Sequence, residues 1–155
     1  IHQHSIGDLY AGALSKSLRK MPQLEILNLK GNGITERGAV KILKSIQVRN
    51  IKKINLSDNH LGERSIALII RLITTYGNKI TEIGLENTGI KNVYVAEIAE
   101  ALTESRNIRT LNMSRNKLSD LTALGDLLTQ TNTLEKLDLH WNNFKNCEAF
   151  FDALT

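Results

Sequence analysis

A single cysteine, Cys147, excludes an intrachain disulfide and a zinc site built from cysteines. The absence of disulfides favours a reducing, cytoplasmic compartment. Long apolar runs are missing too. The stretch Ile66–Ile73 carries Arg71, so no segment reads as a membrane span and no signal or transit segment is visible. Catalytic signatures are absent. Gly31-Asn32-Gly33 lacks the spacing of a nucleotide fingerprint, and no phosphate loop occurs. His2 and His4 form a lone H-x-H without further ligands, so no metal site and no cofactor are expected. The sequons at Asn55-Leu56-Ser57 and Asn112-Met113-Ser114 fall inside apparent strands and read as chance matches.

The chain instead holds an eleven-residue string that returns every 26 to 29 residues. It reads LEILNLKGNGI from Leu24, IKKINLSDNHL from Ile51, ITEIGLENTGI from Ile80, IRTLNMSRNKL from Ile108 and LEKLDLHWNNF from Leu134. Places one, four, six and eleven are apolar. The alternation around places four and six predicts a short strand. Asn and Gly then predict a turn. Apolar residues return at helical spacing: Ala39, Ile42, Leu43 and Ile46; Ile66, Ile69, Ile70 and Ile73; Val95, Ile98, Ala99 and Leu102. Each unit is therefore strand, turn, helix and return loop, stacked on copies of itself. Helical crossovers between successive strands require a parallel sheet. Helices are wider than strands, so the stack is expected to curve with strands inside.

Copies four and five place their apolar helix residues differently: Leu121, Leu124, Leu127 and Leu128, then Cys147, Phe150, Phe151 and Leu154. A local change in curvature or helix tilt is expected there. Residues 1–23 fit the same frame as a partial repeat, with Ala11, Leu14 and Leu18 on the helical positions. Residues 1–155 thus read as one array, expected to belong to a longer one.

This pattern resembles the leucine-rich repeats of the ribonuclease-inhibitor-like subfamily, over nearly the whole chain. The resemblance implies an α/β solenoid, a curved right-handed horseshoe with parallel strands on the concave face and helices on the convex face. It also implies a cytosolic interaction domain. Members serve as receptor sensors, GTPase regulators, cytoskeletal proteins and ciliary components, so fold alone does not fix the role. No catalytic residue of the GTPase-activating relatives carries over.

Place nine is Asn32, Asn59, Asn116 and Asn142, with Thr88 departing. An amide both donates and accepts, so this ladder is expected to tie strand to turn, and Thr88 to leave the third repeat softer. Function is expected on exposed strand positions and turns. Places three, five, seven and eight are read as facing the concave side. Trp141 stands out at place eight, with Arg115 expected beside it and its guanidinium over the indole. Arg115, Trp141, His140, Asp138, Asn112 and Asp58 form the candidate protein-binding surface. The competing reading has Trp141 folding over the turn to shield the core.

Net charge is +4 overall, yet residues 1–79 hold thirteen Lys/Arg against five Asp/Glu, and residues 80–155 seven against eleven. On the helical side Lys16, Lys41, Lys44 and Arg71 form a basic row, followed by Glu97 and Glu100. This row is either a docking site for an acidic protein segment or plain solvated surface. No aromatics interleave with it, which disfavours single-stranded nucleic acid. The leading expectation is a non-enzymatic protein-interaction module. The alternative is an assembly subunit, cytoskeletal or ciliary, held by its helical face.

Overall fold

Five short strands pair in chain order into one parallel sheet in the computed structural model, which describes residues 7–46, 50–76, 79–131, 133–145 and 147–152. They are β1 (Ile26–Asn28), β2 (Lys53–Asn55), β3 (Glu82–Gly84), β4 (Thr110–Asn112) and β5 (Lys136–Asp138). Helices α1 (Gly7–Leu18), α2 (Glu36–Ile46), α3 (Glu63–Tyr76), α4 (Asn92–Glu104), α5 (Thr122–Gln130) and α6 (Glu148–Asp152) alternate with them. Each helix packs on the next and each strand on the next, so the fold is an α/β solenoid. The partial repeat contributes α1; its first six residues, including His2 and His4, lie outside the described set.

The register aligns the repeats place for place: Leu27 with Ile54, Ile54 with Ile83, Ile83 with Leu111 and Leu111 with Leu137. The ladder runs on past the three-residue strands. Leu29 N–H donates to Asn55 O at 2.8 Å, Asp58 N–H to Glu86 O at 2.8 Å and Arg115 N–H to His140 O at 3.0 Å. The core is built from places four, six and eleven together with the inward helix faces, including Leu29, Ile34, Ile42, Leu56, Ile69, Leu85, Ile98 and Leu124. In α3 the burial differs from the periodicity reading: Leu72 is buried and Ile70 only half-buried. In the fifth repeat Leu137, Leu139, Phe144 and Cys147 are half-buried, because no strand beyond β5 covers them among the described residues. Phe151 is exposed rather than core, meeting Phe150 edge-on at 5.7 Å. Leu154 lies outside the described residues.

The shifted pattern of the last two copies has a simple cause. α2, α3 and α4 start two residues after the place-eleven residue, whereas α5 and α6 start four residues after Leu118 and Phe144. Asp120 marks the delayed start of α5, accepting from the N–H and hydroxyl of Thr122 at 2.9 and 2.8 Å. These bonds outweigh partial burial and hold its carboxyl below the usual range.

Helix starts are also served from the preceding repeat. An α-helix opens with orphan N–H groups. Asp8 of α1 accepts from the N–H groups of Thr35 and Gly38 at 3.0 and 3.1 Å and from the Thr35 hydroxyl. Glu36 of α2 accepts from Arg64 N–H at 2.6 Å. Asn92 of α4 instead ties the loop ahead of α5, accepting from Ser119 N–H at 3.0 Å and donating to the Ser119 hydroxyl at 2.7 Å, two residues before the cap position Leu121. Lys91 and Leu121, at the cap positions of α4 and α5, make no side-chain cap bond. Gly38 is bare because a Cβ there would strike the Asp8 carboxylate and come within 2.9 Å of Ala11 Cβ.

Candidate functional site on the strand face and turns

The place-nine ladder sets the frame for the site. Asn59 is fully buried; its Oδ1 accepts from Asn32 N–H at 3.2 Å and Ile34 N–H at 2.9 Å. Its Nδ2 donates to Leu29 O, Leu56 O and Ser57 O at 2.8, 2.9 and 3.1 Å. Asn116 repeats this with Thr88, Gly89 and Ile90 as donors. Asn142 does the same for Asn116 and Leu118. Each amide therefore bolts its own turn to the previous one. Thr88 does less: its hydroxyl donates to Leu85 O at 2.9 Å, within its own repeat. The Leu61 N–H that an Asn would receive goes to the Thr88 backbone oxygen at 3.2 Å.

Place five has a structural duty that its polarity alone did not disclose. Asn28, Asn55, Asn112 and Asp138 accept from the N–H two residues on, in Lys30, Ser57, Ser114 and His140, at 2.9–3.2 Å. These are Asx turns that end the strand. Gly84 has no such side chain, and Ser57 of the preceding repeat substitutes by accepting Glu86 N–H at 3.1 Å. A Cβ at Gly84 would come within 2.7 Å of Asn55 Oδ1. A small depression of about 140 Å³ opens at this point among Asn55, Glu82, Asn112, Lys136 and Asp138.

Two features of the strand face differ from the alternation reading. At place seven Ser57 and Ser114 are buried, so that column is not uniformly exposed. Place eight is not strand at all. Gly31, Asp58, Asn87, Arg115 and Trp141 have φ of 66, 55, 49, 58 and 57°. Every repeat turns through the left-handed region there, where a bulky side chain is strained.

A chain of charges crosses the rim of this face. Lys30 Nζ reaches Glu86 Oε2 at 2.8 Å, passing over buried Ser57, and Asp58 Oδ2 at 3.4 Å. The Glu86 bond and the two acidic charges raise the Lys30 ammonium above its usual range, although partial burial works against it. Glu86 Oε1 lies 3.8 Å from Arg115 Nε, and the Arg115 guanidinium sits 5.7 Å from the Trp141 ring centre. Trp141 is 74% exposed, so it does not fold over the core. Beside it, His140 Nδ1 bonds Asp138. Partial burial opposes ionisation of Asp138, but bonds from the His140 ring and N–H outweigh it and lower its carboxyl. Arg115, Trp141, His140 and Asp138 thus share one corner. Asp58 pairs instead with Lys30 and with Asn87 Nδ2 at 2.9 Å.

On the helical side Lys16, Lys41, Lys44 and Arg71 are all exposed. Lys16 and Lys44 lie in the last turns of α1 and α2, where the helix dipole alone favours a cation. Among the described residues no group of three or more His, Cys, Asp or Glu is placed to hold a metal ion. None of their helices is long and apolar enough to cross a membrane.

Comparison with known proteins agrees with this geometry. The family model described as Leucine Rich repeat matches residues 20–43 and 104–121. The chain is a leucine-rich-repeat protein. Leucine-rich repeat-containing protein 73 of Homo sapiens is 30% identical over 142 residues, 88% of this chain and 45% of that protein. NACHT, LRR and PYD domains-containing protein 3 of Rattus norvegicus is 26% identical over 96% of this chain and 15% of its own length. FERM domain-containing protein C of Dictyostelium discoideum is 27% identical over 61% of this chain. The chain spans less than half the length of each of these relatives, only 6% in the last case. Among solved structures, the tropomodulin C-terminal domain of Caenorhabditis elegans superposes with a TM-score of 0.77 at 14% identity, covering 93% of this chain and 90% of that one. The leiomodin-1 actin-binding site 2 domain gives 0.76 at 16% identity, over 90% and 82%. Both describe the fold this chain adopts.

Proposed function

We propose that this leucine-rich-repeat array is a non-catalytic protein-interaction module that presents the Arg115–Trp141 corner of its strand face to a folded partner. The observation that carries the reading is Trp141. Its backbone has φ 57°, which favours Gly, Asn or Asp, as at Gly31, Asn87 and Asp58. Its ring is mostly exposed and contributes little to the core. A residue strained in the backbone and open to solvent fits a binding role better than a folding one. Trp and Arg are also the side chains that most often dominate interface energies. His140, Asp138 and Asn112 extend the surface along the strand face, with Asp58 beyond Glu86.

The setting we propose is cytoplasmic, with the cytoskeleton first to be assayed. The leiomodin-1 domain is named for actin binding, and its likeness in fold makes actin a rational first probe. Trp141 is the sole Trp, so its emission reports binding directly. A photo-crosslinker at position 141 in native extract identifies the partner. Titration of that partner then tests the corner. Arg115→Ala with Trp141→Ala should weaken binding by about thirtyfold or more, since a single hot-spot residue contributes about 2 kcal/mol. Unchanged affinity with intact folding removes the corner from the interface.

A second reading, an assembly subunit held by its helical face, is favoured by one pattern. Beyond their first turns α1, α2 and α3 carry only basic charged residues, Lys16, Lys41, Lys44 and Arg71, whereas every charged residue of α4, α5 and α6 is acidic. A two-signed face suits a partner of opposite polarity. Charge reversal at Lys16, Lys44 and Arg71 should then abolish assembly while leaving the Trp141 emission response intact.

A further inference from the structure

The turns of repeats one to four border a cleft of about 470 Å³, which adjoins the strand face at Arg115. It exists because side chains are missing or small in adjoining places. Gly89 faces open space, and Gly62 makes room for the Glu36 side chain, since a Cβ there would come within 2.9 Å of Glu36 Cβ. Leu61, 6% exposed, gives the cleft an apolar floor. Arg115 and Lys117 form its wall at the fourth repeat, both in the left-handed region at φ 58 and 60°. Lys117 shares its column with Gly33 and Gly89, which take the same left-handed backbone, and with His60 and Asn143, which do not, so a long cation is strained into position there. Glu36 forms the opposite wall, with its Oε1 engaged by Arg64 N–H.

We propose that this cleft binds an extended segment of a partner protein, four or five residues long, with an acidic side chain seated between Arg115 and Lys117. Its length follows from the repeat. Adjacent strands lie about 4.8 Å apart, so three steps span about 15 Å, and an extended chain rises about 3.3 Å per residue. The polarity follows from charge: two cations at one end select a carboxylate, and Glu36 at the other end rejects a second one. The volume lies within the range of small-ligand pockets, and the apolar floor between charged walls is their usual make-up. This site goes beyond the strand-face reading and shares only Arg115 with it, so the test changes Lys117.

The probe is acetyl-Gly-Ala-Leu-Glu-Glu-amide, titrated into the 15N-labelled chain with its Lys-Lys counterpart as control. Saturable shifts are expected at the amides of Gly62, Gly89 and Lys117. Lys117→Glu is expected to weaken the affinity about tenfold, as loss of a charged hydrogen bond implies. Lys117→Asn, which suits the same backbone region, should weaken it with folding preserved. Lys44→Glu should change nothing. Equal binding of the Lys-Lys peptide, shifts spread over Lys16, Lys41 and Lys44, no saturable shift, or an affinity indifferent to both Lys117 variants would each overturn the proposal. Shifts confined to Trp141 would do so too, while supporting the strand-face reading.

Discussion

Replacing Asn116 by Ala should destabilise the array far more than any change at Thr88, although both sit in the same column. Asn116 Oδ1 receives the N–H groups of Thr88, Gly89 and Ile90 at 3.0, 3.0 and 3.2 Å. Its Nδ2 donates to Leu85 O, Met113 O and Ser114 O at 2.8, 3.0 and 3.0 Å. The three carbonyls each keep another donor: the Thr88 hydroxyl, Asn142 Nδ2 and Asn87 N–H respectively. Gly89 is exposed and can turn to water. The loss therefore falls on the N–H groups of Thr88 and Ile90, both in buried residues. An orphaned buried donor costs about 1–3 kcal/mol, which gives about 4 kcal/mol for Asn116→Ala. Thr88→Val keeps shape and removes the hydroxyl bond to Leu85 O, which retains Asn116 Nδ2, and a long contact of 3.4 Å to Asn116 Oδ1, which retains three N–H donors. About 1 kcal/mol or less follows. Urea unfolding followed by far-ultraviolet circular dichroism measures both, provided the slope stays constant, since repeat arrays can lose two-state behaviour. A loss for Asn116→Ala no larger than for Thr88→Val would refute the ladder accounting.

Other outcomes test the remaining contacts. Partial burial disfavours the charged Asp8 carboxylate, but bonds from Thr35 and Gly38, with Arg37 nearby, outweigh it and lower its pKa. A depressed carboxylate stabilises the fold above its unfolded pKa of about 3.9 and loses that contribution as pH falls through the lower folded value. Asp8→Asn should thus lower stability by about 1 kcal/mol at pH 7, with the gap to the parent closing in acid titrations. Ser65 Oγ is buried without a partner, so Ser65→Ala should raise stability by about 1 kcal/mol in the same unfolding assay. Trp141→Gly should shift stability by less than about 1 kcal/mol, because relief of the left-handed strain offsets the added chain entropy. A loss near the 3–5 kcal/mol typical of a buried Trp would assign Trp141 to the core instead.

The repeat made most of the fold legible. Apolar places four, six and eleven became the buried core in the first four full copies, and the parallel strands pair in the register the copies imply. The tie between turns was legible at Asn59 and Asn116 because an amide is the group that can both donate and accept there. Other parts depended on distance rather than pattern. The delayed starts of α5 and α6 were visible as a shifted apolar register but not as a cause. The caps offered by Asp8 and Glu36 were hidden because they serve helices about 27 residues downstream, where a local reading looks for Ser, Thr, Asp or Asn beside the helix itself. The repeat itself carries the signal, since Asp8 and Glu36 share one place, two residues after place eleven.

The candidate corner illustrates how far a column can inform on function. Place eight reads as one more inward-facing strand position when alternation is carried too far. The structure turns it into a left-handed hinge in all five repeats, occupied by Gly31, Asp58 and Asn87 as sterics prefer. Only Arg115 and Trp141 depart from that preference, and they are neighbours in contact. Two departures at random among five repeats carry little weight. Two adjoining ones that assemble a cation against an aromatic ring, linked through Glu86 to Lys30, make a continuous feature. Local rules of folding are most informative where a cluster of residues breaks them together. Here the break falls on Arg and Trp, the side-chain types most frequent at interface hot spots.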